Sequence, residues 1–254
     1  MKHLTSILAI SILLTIVLAC SQGTKPAETP KPNDSNSNGT KLETKSETNK
    51  STTSSNDLAG TYSIKGSSLD GKGYDGELVV TKRDDVYQMS WGVGGSKYDG
   101  VAVQNGNAVA ASYTTGTDGK GCGAVIYKIN ADDSLEGKWG EWGVNQVGTE
   151  TATAMEKVEK SIGVFNIYGT NGTGTSYKGK LGIRRDSEDV YQFAWDTGGT
   201  KYIGTGVKMG DYLAAGSGSK QCGFVIYEVK DGKLDGKWGV PGTTKLGTEK
   251  ATKK

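Results

Sequence analysis

Apolar and polar residues alternate along most of the chain from residue 60 onward. In the segment Val86–Trp91, the side chains of Tyr87, Met89 and Trp91 fall on one face and those between them on the other. A period of two is typical of β-strands that bury one face. This part of the chain is therefore predicted to be a β-sheet.

Small residues punctuate this pattern in two ways. Leu135, Gly137 and Trp139 share a face, and the glycine leaves room for a ring to lie across the sheet. Pairs such as Gly94–Gly95 indicate tight turns between strands. Only 155–160 has helical periodicity, and we interpret it as a short connector. Short strands are expected to start near residues 60, 76, 86, 97, 107, 122, 134 and 147.

The same series of blocks then returns about 100 residues later. Val86–Trp91 returns as Val190–Trp195, and seven blocks recur in the same order. We therefore expect an all-β protein with two tandem antiparallel meander domains of about eight strands each, at 58–155 and 161–252. Small barrels of the calycin or avidin type are favoured over sandwiches.

The N-terminal composition predicts an exported, lipid-anchored protein. Residues 1–19 begin with a positive charge and continue into the apolar run Ile7–Leu18, which is typical of a signal peptide. Val17-Leu18-Ala19-Cys20 resembles the bacterial lipobox, which implies cleavage before Cys20 and a lipid such as palmitate on its sulfur. The alternative is an ordinary secretory signal with an incidental cysteine.

Residues 20–57 follow as a polar segment of Ser, Thr, Lys, Asn, Glu and Pro. Such a segment cannot bury enough surface to offset its ordering entropy, so it is predicted to be a disordered tether after the lipidated cysteine.

The residue inventory argues against an enzyme. His3 is the only histidine and would leave with the signal peptide, which removes His-based catalysis and the commonest metal ligand. Glu150 and Glu249 end the two repeats, and in different domains they would not form a glycosidase pair; we interpret them as structural hydrogen-bond or ion-pair acceptors. No cofactor or metal site is predicted.

Charge argues against a nucleic-acid partner. The chain carries 30 Lys and Arg against 28 Asp and Glu, with no dense basic block.

Cys122 and Cys222 occupy equivalent positions, one in each repeat. A bridge would have to join the repeats or two molecules. Because equivalent sites in tandem barrels need not lie within bridging distance, buried free thiols are the favoured interpretation.

Most aromatic residues belong to repeated strand positions and are expected in the core, with a ligand pocket inside each barrel as the alternative. Trp142 differs because the second repeat has Pro241 in its place. It is a candidate partner contact, or it packs against the other repeat.

As a set, the blocks resemble a repeat of two-repeat bacterial exported lipoproteins commonly labelled fibronectin-binding. Those that carry the likeness include Val-Tyr-Gln-x-x-Trp, Lys-Tyr-x-Gly, Leu-x-Gly-x-Trp and Gly-Thr-Glu. The resemblance implies a lipid-anchored adhesin of the cell envelope that binds host fibronectin or another macromolecule. Ser21 after Cys20, instead of Asp, resembles the signal that sorts lipoproteins to the outer membrane, so an outer-membrane, surface-exposed location is expected. The alternatives are a carrier of a small apolar ligand inside the barrels and a purely structural envelope protein.

Overall fold

The computed structural model describes residues 57–218 and 222–254. The predicted signal peptide, Cys20 and nearly all of the predicted tether lie outside these residues.

The described chain is built from sixteen β-strands. The first eight are β1 (Gly60–Ser67), β2 (Gly73–Arg83), β3 (Val86–Val93), β4 (Ser96–Asn105), β5 (Ala108–Thr115), β6 (Cys122–Ile129), β7 (Leu135–Glu141) and β8 (Gly148–Glu159). The second eight are β9 (Ile162–Thr170), β10 (Ser176–Arg185), β11 (Val190–Thr197), β12 (Thr200–Met209), β13 (Tyr212–Gly218), β14 (Gly223–Lys230), β15 (Lys233–Gly239) and β16 (Gly247–Lys253).

The all-β prediction is confirmed, and so are the two closed eight-stranded barrels. One local expectation is wrong. Residues 155–160 are not a separate connector, because β8 continues to Glu159 and pairs with β9 through two register shifts. Helical spacing over six residues was too short a signal to outweigh the hairpin pairing.

The two repeats, 58–155 and 161–252, are not the two barrels. The first barrel, in hydrogen-bonded order, is β1-β16-β15-β14-β5-β4-β3-β2, and the second is β10-β11-β12-β13-β6-β7-β8-β9. Each repeat therefore keeps its first five strands in one barrel and gives its last three to the other. We call this arrangement the strand exchange.

Two pairings close the strand exchange. Strand β5 pairs with β14 instead of β6, and β13 pairs with β6 instead of β14, both antiparallel. Cys122 and Cys222, which lie where the chain enters β6 and β14, form a disulfide with a Cα–Cα distance of 5.8 Å. The interpretation as free thiols was wrong because the strand exchange brings these two crossover points together.

Side chains fill the inside of both barrels. As the alternation predicted, Tyr87, Met89 and Trp91 are buried in the first barrel, and their equivalents Tyr191, Phe193 and Trp195 are buried in the second. A third apolar cluster joins the barrels. It includes Val86, Val101, Ala110, Ile126, Val207, Phe224 and Ile226. Both barrels belong to one compact unit.

The tight turns follow the predicted chemistry. Gly94 and Gly95 both have positive φ, as a two-residue hairpin loop between β3 and β4 requires.

Within 57–218 and 222–254, no helix is long and apolar enough to cross a bilayer.

Candidate functional site

Each barrel encloses a glutamate that is held by aromatic side chains. In the second barrel, Glu150 of β8 accepts hydrogen bonds from the hydroxyl of Tyr127 at 2.5 Å and from that of Tyr177 at 2.8 Å. The indole N–H of Trp195 donates to the Tyr127 hydroxyl at 2.8 Å, and that of Trp139 to the Tyr177 hydroxyl at 3.0 Å. One carboxylate thus ties together strands β6, β7, β8, β10 and β11.

The first barrel repeats this arrangement. Glu249 of β16 accepts from Tyr227 at 2.5 Å, from Tyr74 at 2.8 Å and from the indole N–H of Trp91 at 3.1 Å. Trp238 packs edge-on against Tyr74, with ring centroids 6.3 Å apart. Because of the strand exchange, Glu249, Tyr227 and Trp238 come from the second repeat, and Tyr74 and Trp91 from the first.

Glycines make room for these rings, as the spacing Leu-x-Gly-x-Trp predicted. A Cβ on Gly137 would lie 2.5 Å from the ring of Tyr127, and one on Gly236 would lie 2.4 Å from the ring of Tyr227. Both distances are far inside van der Waals contact. Glycine at these positions is therefore what lets each tyrosine reach its glutamate.

Burial controls the electrostatics of both clusters. It raises the pKa of Glu150 and of Glu249, and the hydrogen bonds from the tyrosine and tryptophan donors offset only part of that increase. Burial, followed by the nearby glutamate charge, also raises the pKa of Tyr127 and of Tyr227 well above the ordinary value. Burial therefore favours the neutral form of Glu150, Glu249, Tyr127 and Tyr227.

These clusters link separate strands of each barrel through hydrogen bonds. The interpretation of Glu150 and Glu249 as acceptors is correct, although their partners are tyrosine and tryptophan side chains instead of cations or strand-end amides. The two glutamates lie in different barrels, so they cannot act as an acid–base pair.

Trp142, the predicted partner contact, lies in the β7–β8 loop and is half-buried. Its backbone N–H donates to the Cys122 carbonyl at 3.1 Å. A Cβ on Gly119 would lie 2.5 Å from its ring, so the indole rests directly on that glycine. The loop contacts the first barrel there. Gly119 and Cys122 belong to the same repeat as Trp142, so these contacts do not support the alternative that Trp142 packs against the other repeat.

Trp142 also lines a cleft of about 240 Å³ between its loop and the outer face of the first barrel. We call it the Trp142 cleft. Buried Val86 and Val101 form part of its lining. Its lining also includes Arg83, Tyr87, Gln88, Glu141, Gly143, Val144 and Asn145.

A buried carboxylate organises one wall of the Trp142 cleft. Asp99 is only 4 % exposed. It accepts from Gln88 Nε2 at 3.0 and 3.2 Å and from the Ser90 hydroxyl at 2.9 Å. The amide of Gln88 is thereby fixed, and its oxygen accepts from Arg83 at 2.9 Å. The Arg83 guanidinium is held at the cleft by a chain that ends in a buried charge.

The second repeat forms a cleft of different chemistry, lined by Asp189, Lys237, Leu246 and neighbouring residues. Only Val190 and Thr244 of its lining match residues that line the Trp142 cleft, namely Val86 and Asn145. An ion pair of 2.7 Å joins Lys237 to Asp189 there. Pro241 replaces Trp142, and Ile203, which is 74 % exposed, replaces Asp99. The aromatic ring and the buried carboxylate are therefore specific to the first cleft.

Sequence reasoning found Trp142 but missed the rest of this cleft. The available signal was the difference between Lys97-Tyr98-Asp99-Gly100 and Lys201-Tyr202-Ile203-Gly204. A charged residue in only one of two otherwise matching blocks indicates a role specific to that repeat. Arg83 carried no such signal because exposed polar residues on strands are common. Gln88 carried none because the second repeat has Gln192 at the same position.

In the part of the chain that the structure describes, no group of three or more His, Cys, Asp or Glu side chains could hold a metal ion.

The fold and these sites define a class of protein: a strand-exchanged double β-barrel with one aromatic-bound glutamate per barrel. No family model matches the chain, and neither the curated proteins nor the solved structures include a match.

Proposed function

We propose that this chain is a non-enzymatic lipoprotein of the bacterial cell envelope that binds a host matrix protein such as fibronectin. It would be anchored by a lipid on Cys20, and residues 1–19 would direct its export. The Cys122–Cys222 disulfide supports export, because disulfides persist in oxidising compartments outside the cytosol.

The observation that carries the binding proposal is the filled interior of both barrels. Large side chains such as Tyr127, Phe165, Tyr227 and Met89 are almost completely buried there. A carrier of an apolar ligand needs an internal cavity, whereas a protein that binds a macromolecule needs only its outer face. This packing favours the matrix-binding proposal over the carrier.

Anchoring is tested by metabolic labelling of cells with radioactive palmitate. The wild-type chain should incorporate label, and the Cys20→Ser variant should not. Protease treatment of intact cells then tests surface exposure, since a surface-exposed chain is degraded without lysis. Equal labelling of both variants would rule out a lipid on Cys20.

Matrix binding is tested with the full chain on a biosensor surface coated with fibronectin, and with serum albumin as the control surface. Each barrel contains strands of both repeats, so separate repeats would not present the native surface. Saturable binding to fibronectin alone supports the proposal. Its absence up to about 10 μM, the affinity range of a weak but specific complex, contradicts it.

A further inference from the structure

The Trp142 cleft combines the chemical groups that recognise a sugar ring. An indole ring can pack against the apolar C–H face of a pyranose, while polar groups at its edge bind the hydroxyls. Trp142 provides the ring. Arg83 provides hydrogen-bond donors, Glu141 provides acceptors and the Asn145 amide provides both, which matches hydroxyl groups that donate and accept.

Charge favours an uncharged ligand. Arg83 and Glu141, which have opposite charges, both line the cleft. Asp84 is also close, since its carboxylate lies 3.4 Å from the side-chain nitrogen of Asn145. An acidic sugar would gain from the guanidinium but would be repelled by these carboxylates, whereas a neutral sugar can use both kinds of group.

The polar wall is held in place before a ligand arrives. Asp99 fixes the amide of Gln88, and Gln88 fixes the guanidinium of Arg83. A preorganised wall loses less conformational entropy on binding, which is typical of binding sites. The buried Asp99 has no counterpart in the second repeat, where Ile203 occupies the matching position.

Size restricts the ligand further. The cleft measures about 240 Å³. Pockets for drug-sized ligands hold roughly 300–1,000 Å³, so this one suits a single sugar ring at the end or side of a longer glycan.

We propose that the Trp142 cleft binds a neutral hexopyranose unit of a glycan. The inference goes beyond the proposed function, because it requires neither fibronectin nor any other host protein. The cleft of the second repeat does not bind the sugar, because it lacks the aromatic ring and contains the Lys237–Asp189 ion pair.

The test uses the full chain with ¹⁵N-labelled indole groups, which give one NMR signal for each of the five tryptophans. Lactose and N,N′-diacetylchitobiose are titrated to about 50 mM, which covers weak millimolar binding. The Trp142 signal, identified by its loss in Trp142→Ala, should shift saturably with one or both sugars. The signals of the buried Trp91 and Trp195 should move much less.

Variants then locate the site. Arg83→Ala changes an exposed side chain, and it should weaken binding by about tenfold, the effect of losing one charge-assisted hydrogen bond. Trp142→Ala keeps the backbone N–H that donates to the Cys122 carbonyl, and it should abolish binding, measured on the NMR signals of the sugar because the Trp142 indole signal is absent. Pro241→Ala, at the position of the second repeat that matches Trp142, should leave the affinity unchanged.

Three results would overturn the inference. One is the absence of a saturable Trp142 shift with either neutral sugar. Another is a response to 3′-sialyllactose that is stronger than the response to lactose, since this would indicate an acidic ligand. The third is unchanged affinity in a folded Arg83→Ala variant. Fibronectin binding is measured separately, so either proposal can fail without the other.

Discussion

The absence of one Cβ atom, at Gly137 and at Gly236, allows a tyrosine ring to pack inside each barrel. The rings of Tyr127 and Tyr227 cross the sheet over Gly137 and Gly236, and each hydroxyl reaches a buried glutamate. The glycine spacing was readable in the sequence because it left an obvious gap between two large residues. The tyrosine–glutamate pairing was not readable, because it depends on which strands are neighbours.

Gly137→Ala should therefore destabilise the protein by about 1–3 kcal/mol, since the added Cβ overlaps the Tyr127 ring and forces it to move. Gly182→Ala is the matched control in the same barrel, because its Cβ would lie 3.9 Å from the nearest atom. Urea unfolding measures both. Equal stability of the two variants would contradict the ring-accommodation argument.

The buried glutamates should make stability depend on pH. Their folded-state pKa values are raised above the ordinary 4.5, so their contribution is complete below about pH 4.5 and is lost as the pH rises through the folded value. Glutamine imitates the neutral form at every pH. Glu150→Gln should match the wild type at acidic pH and become more stable than it as the pH rises.

Urea unfolding from about pH 4 to about pH 8 measures this difference. Glu136→Gln, on the exposed face of the neighbouring strand β7, controls for the loss of a surface charge. A Glu150→Gln variant that becomes less stable than the wild type with rising pH would show that the carboxylate, and not the neutral acid, is the favoured folded form.

At the scale of elements, strand positions were predictable and strand partners were not. Seven of the eight starts expected in the first repeat lie within about one residue of the observed strands, and β2 begins at Gly73 instead of residue 76. Strand exchange was hidden because Cys122–Tyr127 and Cys222–Tyr227 are almost the same sequence. Judged from the local sequence pattern alone, strand β5 could pair with β6 or with β14. Only the tertiary structure shows that its partner is β14.

The disulfide at the two crossovers should contribute strongly to stability. It closes a loop with a sequence separation of 100 residues, for which chain entropy gives up to about 4–5 kcal/mol. The double variant Cys122→Ser, Cys222→Ser should lose a large part of this amount in urea unfolding. Reduced wild-type protein should behave in the same way, and a reduced protein as stable as the oxidised one would contradict the expectation.

At the scale of the whole molecule, neither repeat contains a complete barrel. A chain of residues 57–160 has β1–β5 without β14–β16, and β6–β8 without β9–β13. A second copy can supply equivalent strands in both places, as in domain swapping. We therefore expect this fragment to form a dimer linked by a Cys122–Cys122 disulfide.

Sedimentation equilibrium and non-reducing gels test the dimer. The Cys122→Ser fragment is the control, and it should still dimerise through strand pairing but without the covalent link. A folded monomer at all concentrations would show that one repeat can close its own barrel, with β5 against β6.

Strand exchange also sets the order in which the molecule can be completed. The second barrel has all its strands once the chain has been made as far as Gly218. The first barrel, whose β1–β5 emerge earliest, must wait for β16 at the far end of the chain. The part synthesised first is therefore finished last, and its barrel stays open until the final strand has been made.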